Sequence, residues 1–189
     1  LEYGQAAGKT VVITTNVHQQ TRQFIEEARA ITEREPIRTV VFRGKASMCH
    51  IDVGYEECQA LRDTTRELVE KEADIAELEA RESELLDASR GGDDEATQAR
   101  GAVLEELEEL ETSAEALREE RNTCAHYYNN LTVDTDAFYG WLYEDVRTPD
   151  EIYEYADEHD LCGYELLKEG MEGVDLVVCN YHHLLSPMI

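Results

Sequence analysis

The chain has 189 residues, of which 43 are acidic and 17 are basic, so its formal net charge is −26 at neutral pH. This length suits one domain or slightly more. The sequence contains neither the run of about eighteen apolar residues that a membrane span needs nor a basic-then-apolar signal segment at its start. It therefore predicts no membrane partner and a cytoplasmic location. Because it begins at Leu1 without a methionine, we expect an internal piece of a longer protein.

The acidity has two interpretations. Such a charge normally argues against a nucleic-acid partner, because each phosphate contact needs a cation. The alternative is adaptation of a halophilic protein to a cytoplasm at molar salt, where the Debye length is only about 3 Å. Only four of the basic residues are lysines, namely Lys9, Lys45, Lys71 and Lys168. This preference for arginine and the even spread of acidic residues favour the second interpretation, so a DNA partner stays open.

The start of the chain has the pattern of an α/β domain. Residues 10–15 and 39–42 are short, β-branched and apolar, which predicts two buried strands. An amphipathic helix is expected between them, with Asn16 as its cap and Pro36 as its stop. This order and spacing predict a parallel βαβ unit, and residues 174–179 predict a third buried strand.

The middle of the chain predicts a long helical hairpin. Helical patterns run from Gln59 to about Asp87 and from Glu95 to Asn122, and the glycines and aspartates of residues 89–94 break the helix between them. Both patterns carry apolar seams with heptad spacing. The seam residues are Leu61, Leu68, Ile75, Leu78 and Leu85 in the first arm and Val103, Leu107, Leu110, Ala114 and Leu117 in the second. Such arms, each roughly 40 Å long, fold back as an antiparallel coiled coil whose base brings Cys58 and Cys124 together.

The segment after the hairpin is rich in aromatic residues and short helices. A single aromatic patch is expected around Gly140, formed by Tyr127, Tyr128, Leu131, Phe138, Tyr139, Trp141, Leu142 and Tyr143. Thr148 and Glu151, with Pro149 between them, have the pattern of a capping box that opens a helix. A shorter helix is predicted from Tyr164 to Glu169, closed by Gly170.

The glycines near the start do not form a phosphate-binding loop. The segment from Gly4 to Thr10 has three residues between its glycines, whereas the loop needs four. Its Gly-Lys-Thr also precedes a strand, whereas the loop must open a helix. We find no acidic metal-binding box either, so the sequence contains no catalytic residue for ATP hydrolysis.

The chain contains five cysteines, Cys49, Cys58, Cys124, Cys162 and Cys179. Their odd number and wide spacing do not fit a disulfide framework. The spacing also matches neither a zinc ribbon nor a ferredoxin, so metal ligation and buried thiols both remain open. Cys179 lies in an apolar run and is most simply a core residue.

Five segments, in order along the chain, resemble the XPD-type (DinG-related) DNA helicases. Residues 12–20 are similar to helicase motif Ia, and residues 43–49 to the segment that leads to the first cluster cysteine of that family. Residues 122–124 and 161–166 resemble the segments of the third and fourth cysteines. Residues 177–185 resemble the strand and loop that precede the DEAH box.

This resemblance implies an ATP-dependent 5′–3′ DNA helicase of the repair type as the parent protein, which would supply the ATP and Mg²⁺ sites. It implies a [4Fe–4S] cluster with Cys49, Cys58, Cys124 and Cys162 as its ligands. Gly163 stands where the family usually has proline. The implied fold is α/β, part of a parallel-sheet motor domain with an all-α iron–sulfur insertion. The expected boundaries are 1–44 for the motor, 45–172 for the cluster domain with hairpin 59–122, and 173–189 for the return to the motor.

Polar and aromatic side chains beside these motifs are candidates for DNA contacts. Arg43 and Lys45 would bind phosphates. Tyr164 would stack on a base and Lys168 pair with the same strand, although core packing of Tyr164 is an equal alternative. The remaining candidates are Thr15, Asn16, His18, Gln19, Asn180, Tyr181 and His182.

The expected partners are single-stranded and forked DNA, with a protein partner possible at the tip of the hairpin. In this interpretation the cluster domain is a wedge that separates the duplex. The alternative from another class is a non-enzymatic interaction module, in which a metal holds a coiled-coil docking arm.

Overall fold

The computed structural model of the chain describes residues 1–119 and 122–185, and only the backbone of Tyr3, His18, Leu184 and Leu185 within those ranges. The chain divides into two compact units. Unit 1 comprises residues 1–55 and 133–189, and unit 2 comprises residues 56–132. The predicted domain boundaries, between residues 44 and 45 and between residues 172 and 173, concern functional domains and stay a prediction.

Within the described ranges, unit 1 contains both helices and strands, whereas unit 2 contains helices. The helices are α1 (Glu2–Ala6), α2 (His18–Thr32), α3 (Tyr55–Arg90), α4 (Asp94–Glu119), α5 (Ala125–Thr132), α6 (Asp136–Glu144), α7 (Pro149–Glu158), α8 (Gly163–Glu169) and α9 (His182–Leu185). The strands are β1 (Val11–Thr15), β2 (Thr39–Val41) and β3 (Leu176–Asn180). A single 3₁₀ turn covers Lys45–Ser47.

Unit 1 is built on a parallel three-stranded sheet with the order β1-β3-β2. Val177 of β3 pairs with Val12 on one side and with Val40 on the other. The three predicted strands are confirmed. The two strands of the predicted βαβ unit are parallel, but β3 lies between them.

Both faces of the sheet are covered. Val177 and Cys179 lie in one core with residues of α6, α7 and α8, whereas Leu176 and Val178 lie in a second core with Ile25 of α2. Alternate side chains of β3 therefore enter opposite cores, which explains its continuous apolar sequence. Cys179 is buried, as predicted for a core residue.

The start of α2 differs from the prediction. Its N-cap is Val17, which makes no side-chain capping bond. The backbone N–H of Asn16 instead donates to Oε1 of Gln20, at 3.2 Å. The prediction that Asn16 caps this helix is wrong. The side chain that accepts a hydrogen bond at this end is that of Gln20, in the first turn of α2, and not that of the residue before the helix.

The predicted capping box at α7 is confirmed. The N–H of Glu151 donates to the hydroxyl of Thr148 at 3.1 Å, and the N–H of Thr148 donates to Oε2 of Glu151 at 2.6 Å. Pro149 occupies the first turn, where its missing N–H costs nothing. This end of α7 is therefore fixed by its own sequence.

Unit 2 contains the predicted hairpin. Its arms are α3 and α4, and Gly92 supplies the left-handed backbone (φ +89°) in the turn between them. All the predicted seam residues are buried or half-buried. Arg118 of α4 is ion-paired with Glu72 of α3, which ties the arms together away from the turn. The first arm begins at Tyr55, four residues earlier than predicted. The second arm is helical as far as Glu119. Residues 120 and 121 lie outside the described residues, and Asn122, the predicted end of this arm, is not helical.

The predicted aromatic patch is divided between the units. Tyr127, Tyr128 and Leu131 belong to unit 2, and the other members belong to unit 1. Phe138 and Leu142 are fully buried in unit 1. Because the boundary between the units falls at residues 132 and 133, a single patch that spans both units stays a prediction. No helix of the described residues is long and apolar enough to cross a membrane.

Candidate functional site

Unit 1 has a groove of about 720 Å³ at one edge of its sheet. It is lined by residues at the carboxyl end of every strand: Thr15 and Asn16 after β1, Arg43 after β2, and Asn180 at the end of β3. In open parallel sheets this edge is where ligands bind, because loops and helix N-termini converge there. We call this cavity the strand-end groove.

The strand-end groove is more cationic than the rest of this acidic chain. Its lining includes four cations, and only two carboxylates accompany them. The cations are Arg22, Arg29, Arg43 and Lys45, and the carboxylates are Glu26 and Asp150. Positive residues concentrated in a concave site on a chain of net charge −26 favour an anionic ligand.

The three arginines of the groove are already paired. Arg43 donates to both carboxylate oxygens of Asp150. Arg22 lies 3.4 Å from Glu26 on the same helix. Arg29 donates to the carbonyl of Val146 at 2.9 Å and pairs with Glu151 at 3.0 Å. An anion that binds these arginines must therefore compete with carboxylates.

Lys45 has a different environment. Among the residues that the structure describes, no carboxylate pairs with it, and its Nζ lies 5.9 Å from the centre of the Tyr55 ring. Its ammonium group is thus available for a phosphate. It is the groove cation that an incoming strand can reach without displacing an ion pair.

Hydrogen bonds fix the polar end of the groove. Thr15 shares a hydroxyl–hydroxyl bond of 2.8 Å with Thr21, and the carbonyl of Thr15 accepts from the N–H of Tyr181 at 3.1 Å. The side chain of Asn180 accepts from the N–H of His182 at 3.0 Å. The loops after β1 and β3 are therefore held against each other.

Seven of the eleven predicted DNA-contact residues line the strand-end groove: Thr15, Asn16, Arg43, Lys45, Tyr164, Asn180 and His182. Gln19 is exposed on α2, and Tyr181 packs its ring on His182 at 4.1 Å. The side chain of His18 lies outside the described residues. The structure thus brings together residues from four motifs that are distant along the chain.

Tyr164 and Lys168 occupy a different position from that expected of a stacking pair. Only 4% of Tyr164 is exposed, and its ring packs edge-on against Phe42 at 6.2 Å. The ammonium of Lys168 lies over the Tyr164 ring at 5.8 Å and pairs with Glu165 at 3.3 Å. Of the two alternatives for Tyr164, the structure favours core packing.

Sequence analysis missed Tyr55, Arg22 and Asp150 as groove residues. Arg22 lies in the second turn of α2 and Asp150 in the first turn of α7, and no motif marks either residue as a ligand contact. Tyr55 directly follows Gly54 and precedes the heptad pattern, so it has no role in either predicted seam. An aromatic residue outside both predicted seams was therefore the one sequence feature that could have marked Tyr55 as a candidate ligand contact.

Two of the proposed cluster ligands belong to unit 1. Cys49 follows the 3₁₀ turn, and Cys162 occupies the N-cap position of α8; both are half-buried. A Cβ atom at Gly163 would lie 3.0 Å from Cβ of Ala156. Close packing against α7 therefore explains why this chain has glycine where the related helicases usually have proline.

The other two proposed ligands belong to unit 2. Cys58 lies in the first turn of α3 and Cys124 directly precedes α5; both are buried. The N–H of Cys124 donates to the hydroxyl of Thr65 at 2.9 Å. Thr65 lies two turns after Cys58 on the same face of α3, so the backbone of Cys124 meets α3 about 10 Å along the axis from Cys58.

An iron–sulfur cluster requires cysteine thiolates that are not held in disulfides. None of the five cysteines forms a disulfide, so their chemistry is suitable for thiolate ligation. However, no group of three or more His, Cys, Asp or Glu side chains in residues 1–119 and 122–185 is arranged to hold a metal ion. The donor chemistry is appropriate, and the four thiols are divided between the two units, two in each.

Comparison with known families gives one result of wide coverage. Residues 13–189 match the DEAD_2 family, a DEAD-box-like helicase domain found in XPD- and DinG-type proteins. This match covers both units and the strand-end groove. The chain belongs to the DEAD_2 family of helicase-type domains.

Proposed function

We propose that this chain is part of an ATP-dependent 5′–3′ DNA helicase that acts in DNA repair, and that the strand-end groove holds single-stranded DNA. The observation that carries the proposal is the convergence of seven predicted DNA-contact residues on one cationic groove. The family match supports a nucleic-acid partner in general.

The groove offers the contacts that a nucleic-acid backbone needs. Lys45 is the candidate phosphate contact. The side chains of Asn16 and Asn180 offer amide groups for phosphate and sugar oxygens, whereas the hydroxyl of Thr15 is buried in its bond to Thr21. These contacts carry no base identity, which suits an enzyme that moves along DNA of any sequence.

The four cysteines are proposed as ligands of a [4Fe–4S] cluster on the strength of the motif resemblance. Thiolates from segments far apart in the chain would make the cluster a cross-link, so its loss would destabilise the surrounding fold. The surrounding domain is proposed to act as a wedge at the fork. The hairpin tip remains a candidate protein contact.

ATP hydrolysis is assigned to the parent protein. The segment from Gly4 to Thr10 is not a phosphate loop, because its lysine and threonine lead into β1 and not into a helix. The helicase family match does not favour the alternative of a non-enzymatic coiled-coil module.

The experiment compares Lys45→Gln with Lys9→Gln in the full-length protein. Lys9 is exposed and does not line the groove, so its substitution removes the same charge elsewhere. Binding of oligo-dT is measured as a function of salt concentration. Lys45→Gln should lower the log–log salt slope by about 0.7, the value for one phosphate contact on a single strand, and Lys9→Gln should not. Equal slopes for both variants would refute the groove as the DNA site.

A further inference from the structure

Tyr55 is an exposed aromatic residue without a packing role. It is 42% exposed, and it is the only exposed Phe, Tyr or Trp among the side chains that the structure describes. The other described aromatic side chains are buried or half-buried. The ring surface of Tyr55 is therefore accessible to a ligand.

The ring of Tyr55 lines the strand-end groove. Lys45, the groove cation without a described carboxylate partner, lies over the same ring with its Nζ at 5.9 Å from the ring centre. An apolar ring and an available ammonium group therefore lie side by side. Nucleotides in a single strand present the same pair of features, a flat base next to a charged phosphate.

Tyr164 does not supply this function in the observed fold. Its ring packs edge-on against Phe42, and only 4% of the residue is exposed, compared with 42% of Tyr55. A base cannot stack on a face that the core already covers. Tyr55 is thus the groove aromatic whose ring is accessible.

We propose that Tyr55 is a base-stacking residue for single-stranded DNA in the strand-end groove, with Lys45 contacting the neighbouring phosphate. This inference rests on the proposed function, since it assumes that the groove holds a single strand. Stacking on a ring is tolerant of base identity because every base has a π-face, so Tyr55 would hold the strand without reading it.

The test uses two DNA probes and three variants of the full chain. The probes are fluorescently labelled oligo-dT and an abasic strand of the same length, which keeps the phosphates and lacks the bases. Tyr55→Leu removes the ring, and Tyr55→Phe keeps it. Met171→Ala is the control, because Met171 is exposed in unit 1 and does not line the groove. Circular dichroism verifies the helix content of each variant.

Tyr55→Leu should bind oligo-dT roughly tenfold more weakly than the wild type. Its affinity for the abasic strand should be unchanged, and the salt slope should stay the same because no phosphate contact is lost. Tyr55→Phe and Met171→Ala should match the wild type on both probes.

The outcomes separate the two proposals. If the wild type binds oligo-dT and Tyr55→Leu binds it equally well, stacking by Tyr55 is overturned and the proposed function stands. An equal loss on both probes also overturns stacking, since the ring would then act on the backbone. If the wild type binds neither probe, the proposed function fails and the inference fails with it.

Discussion

Arg43 and Asp150 both line the strand-end groove, and the arginine donates to both carboxylate oxygens, with 3.2 Å between Nη2 and Oδ2. The two residues are 107 positions apart in the sequence. The charge of Arg43 is thus neutralised by the carboxylate of Asp150. A DNA strand that uses Arg43 must displace Asp150.

Replacing this carboxylate should strengthen DNA binding. Asp150→Asn removes a negative charge next to the strand and releases Arg43, so affinity for oligo-dT should rise about threefold at low salt and less at high salt. The control is Glu154→Gln, which removes the same charge from an exposed position of α7 outside the groove. An equal gain in both variants would show that only the net charge matters.

Arg43 and Lys45 differ in a property that their sequence motif does not predict, namely whether a carboxylate pairs with the cation. Both lie in one motif, and both were predicted as phosphate contacts. Only tertiary structure distinguishes them, because the partner of Arg43 comes from α7, far along the chain. A local sequence pattern carries no information on such a pairing.

The hairpin and the strands could be predicted because their signal is local. Heptad spacing reflects burial of one face of a helix, and a short β-branched run reflects burial of both faces of a strand. The position of β3 between β1 and β2 could not be derived in this way, since it depends on contacts more than 130 residues apart along the chain. Tyr55 was missed for a related reason, because no local pattern marks a ring that lines a groove.

Thr65 should be important for the stability of unit 2. Its hydroxyl donates to the carbonyl of Leu61 at 2.6 Å and accepts from the N–H of Cys124 at 2.9 Å, in a fully buried position. Thr65→Val would leave the Cys124 amide without this acceptor, which should lower the free energy of unfolding by about 1–3 kcal/mol. Urea denaturation measures the change.

Thr64→Val is the matched control for Thr65→Val. Its hydroxyl makes the same bond to the carbonyl four residues earlier, at 3.1 Å to Ala60, in a more exposed position. This variant should change the free energy of unfolding by less than about 0.5 kcal/mol. Similar losses in both variants would contradict a special role for the contact with Cys124.

The capping carboxylate of α7 should make stability pH-dependent. Partial burial acts to raise the pKa of Glu151, but hydrogen bonds from Thr148 and the charges of Arg29 and Arg147 outweigh it, so the pKa lies below its ordinary value of 4.5. The unfolded chain then takes up this proton at a higher pH than the folded chain. The resulting stabilisation is present above pH 4.5 and is lost as the pH falls through the folded-state pKa.

Glu151→Gln keeps a capping side chain and removes the titration. Thermal unfolding from pH 7 down to pH 3 should show a shallower loss of stability in this variant than in the wild type. Glu158→Gln, at an exposed position of the same helix, should retain the wild-type slope. A wild-type slope in Glu151→Gln would contradict the contribution of this carboxylate.

The cysteine proposal predicts a difference between two buried thiols. The wild-type protein, purified without oxygen, should contain about four iron atoms per chain and absorb at the violet edge of the visible spectrum. Cys124→Ser should lose both the iron and the absorption. Cys179→Ser should retain them, because Cys179 lies in the core on β3. Bound zinc in place of iron, or equal iron loss in both variants, would contradict the ligand assignment.

Ultraviolet cross-linking to oligo-dT, followed by mass spectrometry of the cross-linked peptides, tests most directly whether single-stranded DNA lies in the strand-end groove. If the groove holds the strand, cross-links will appear on peptides that carry Tyr55 and on peptides from residues 174–185 that carry Asn180 and His182. Cross-links confined to the hairpin, residues 59–119, would contradict this location of the DNA.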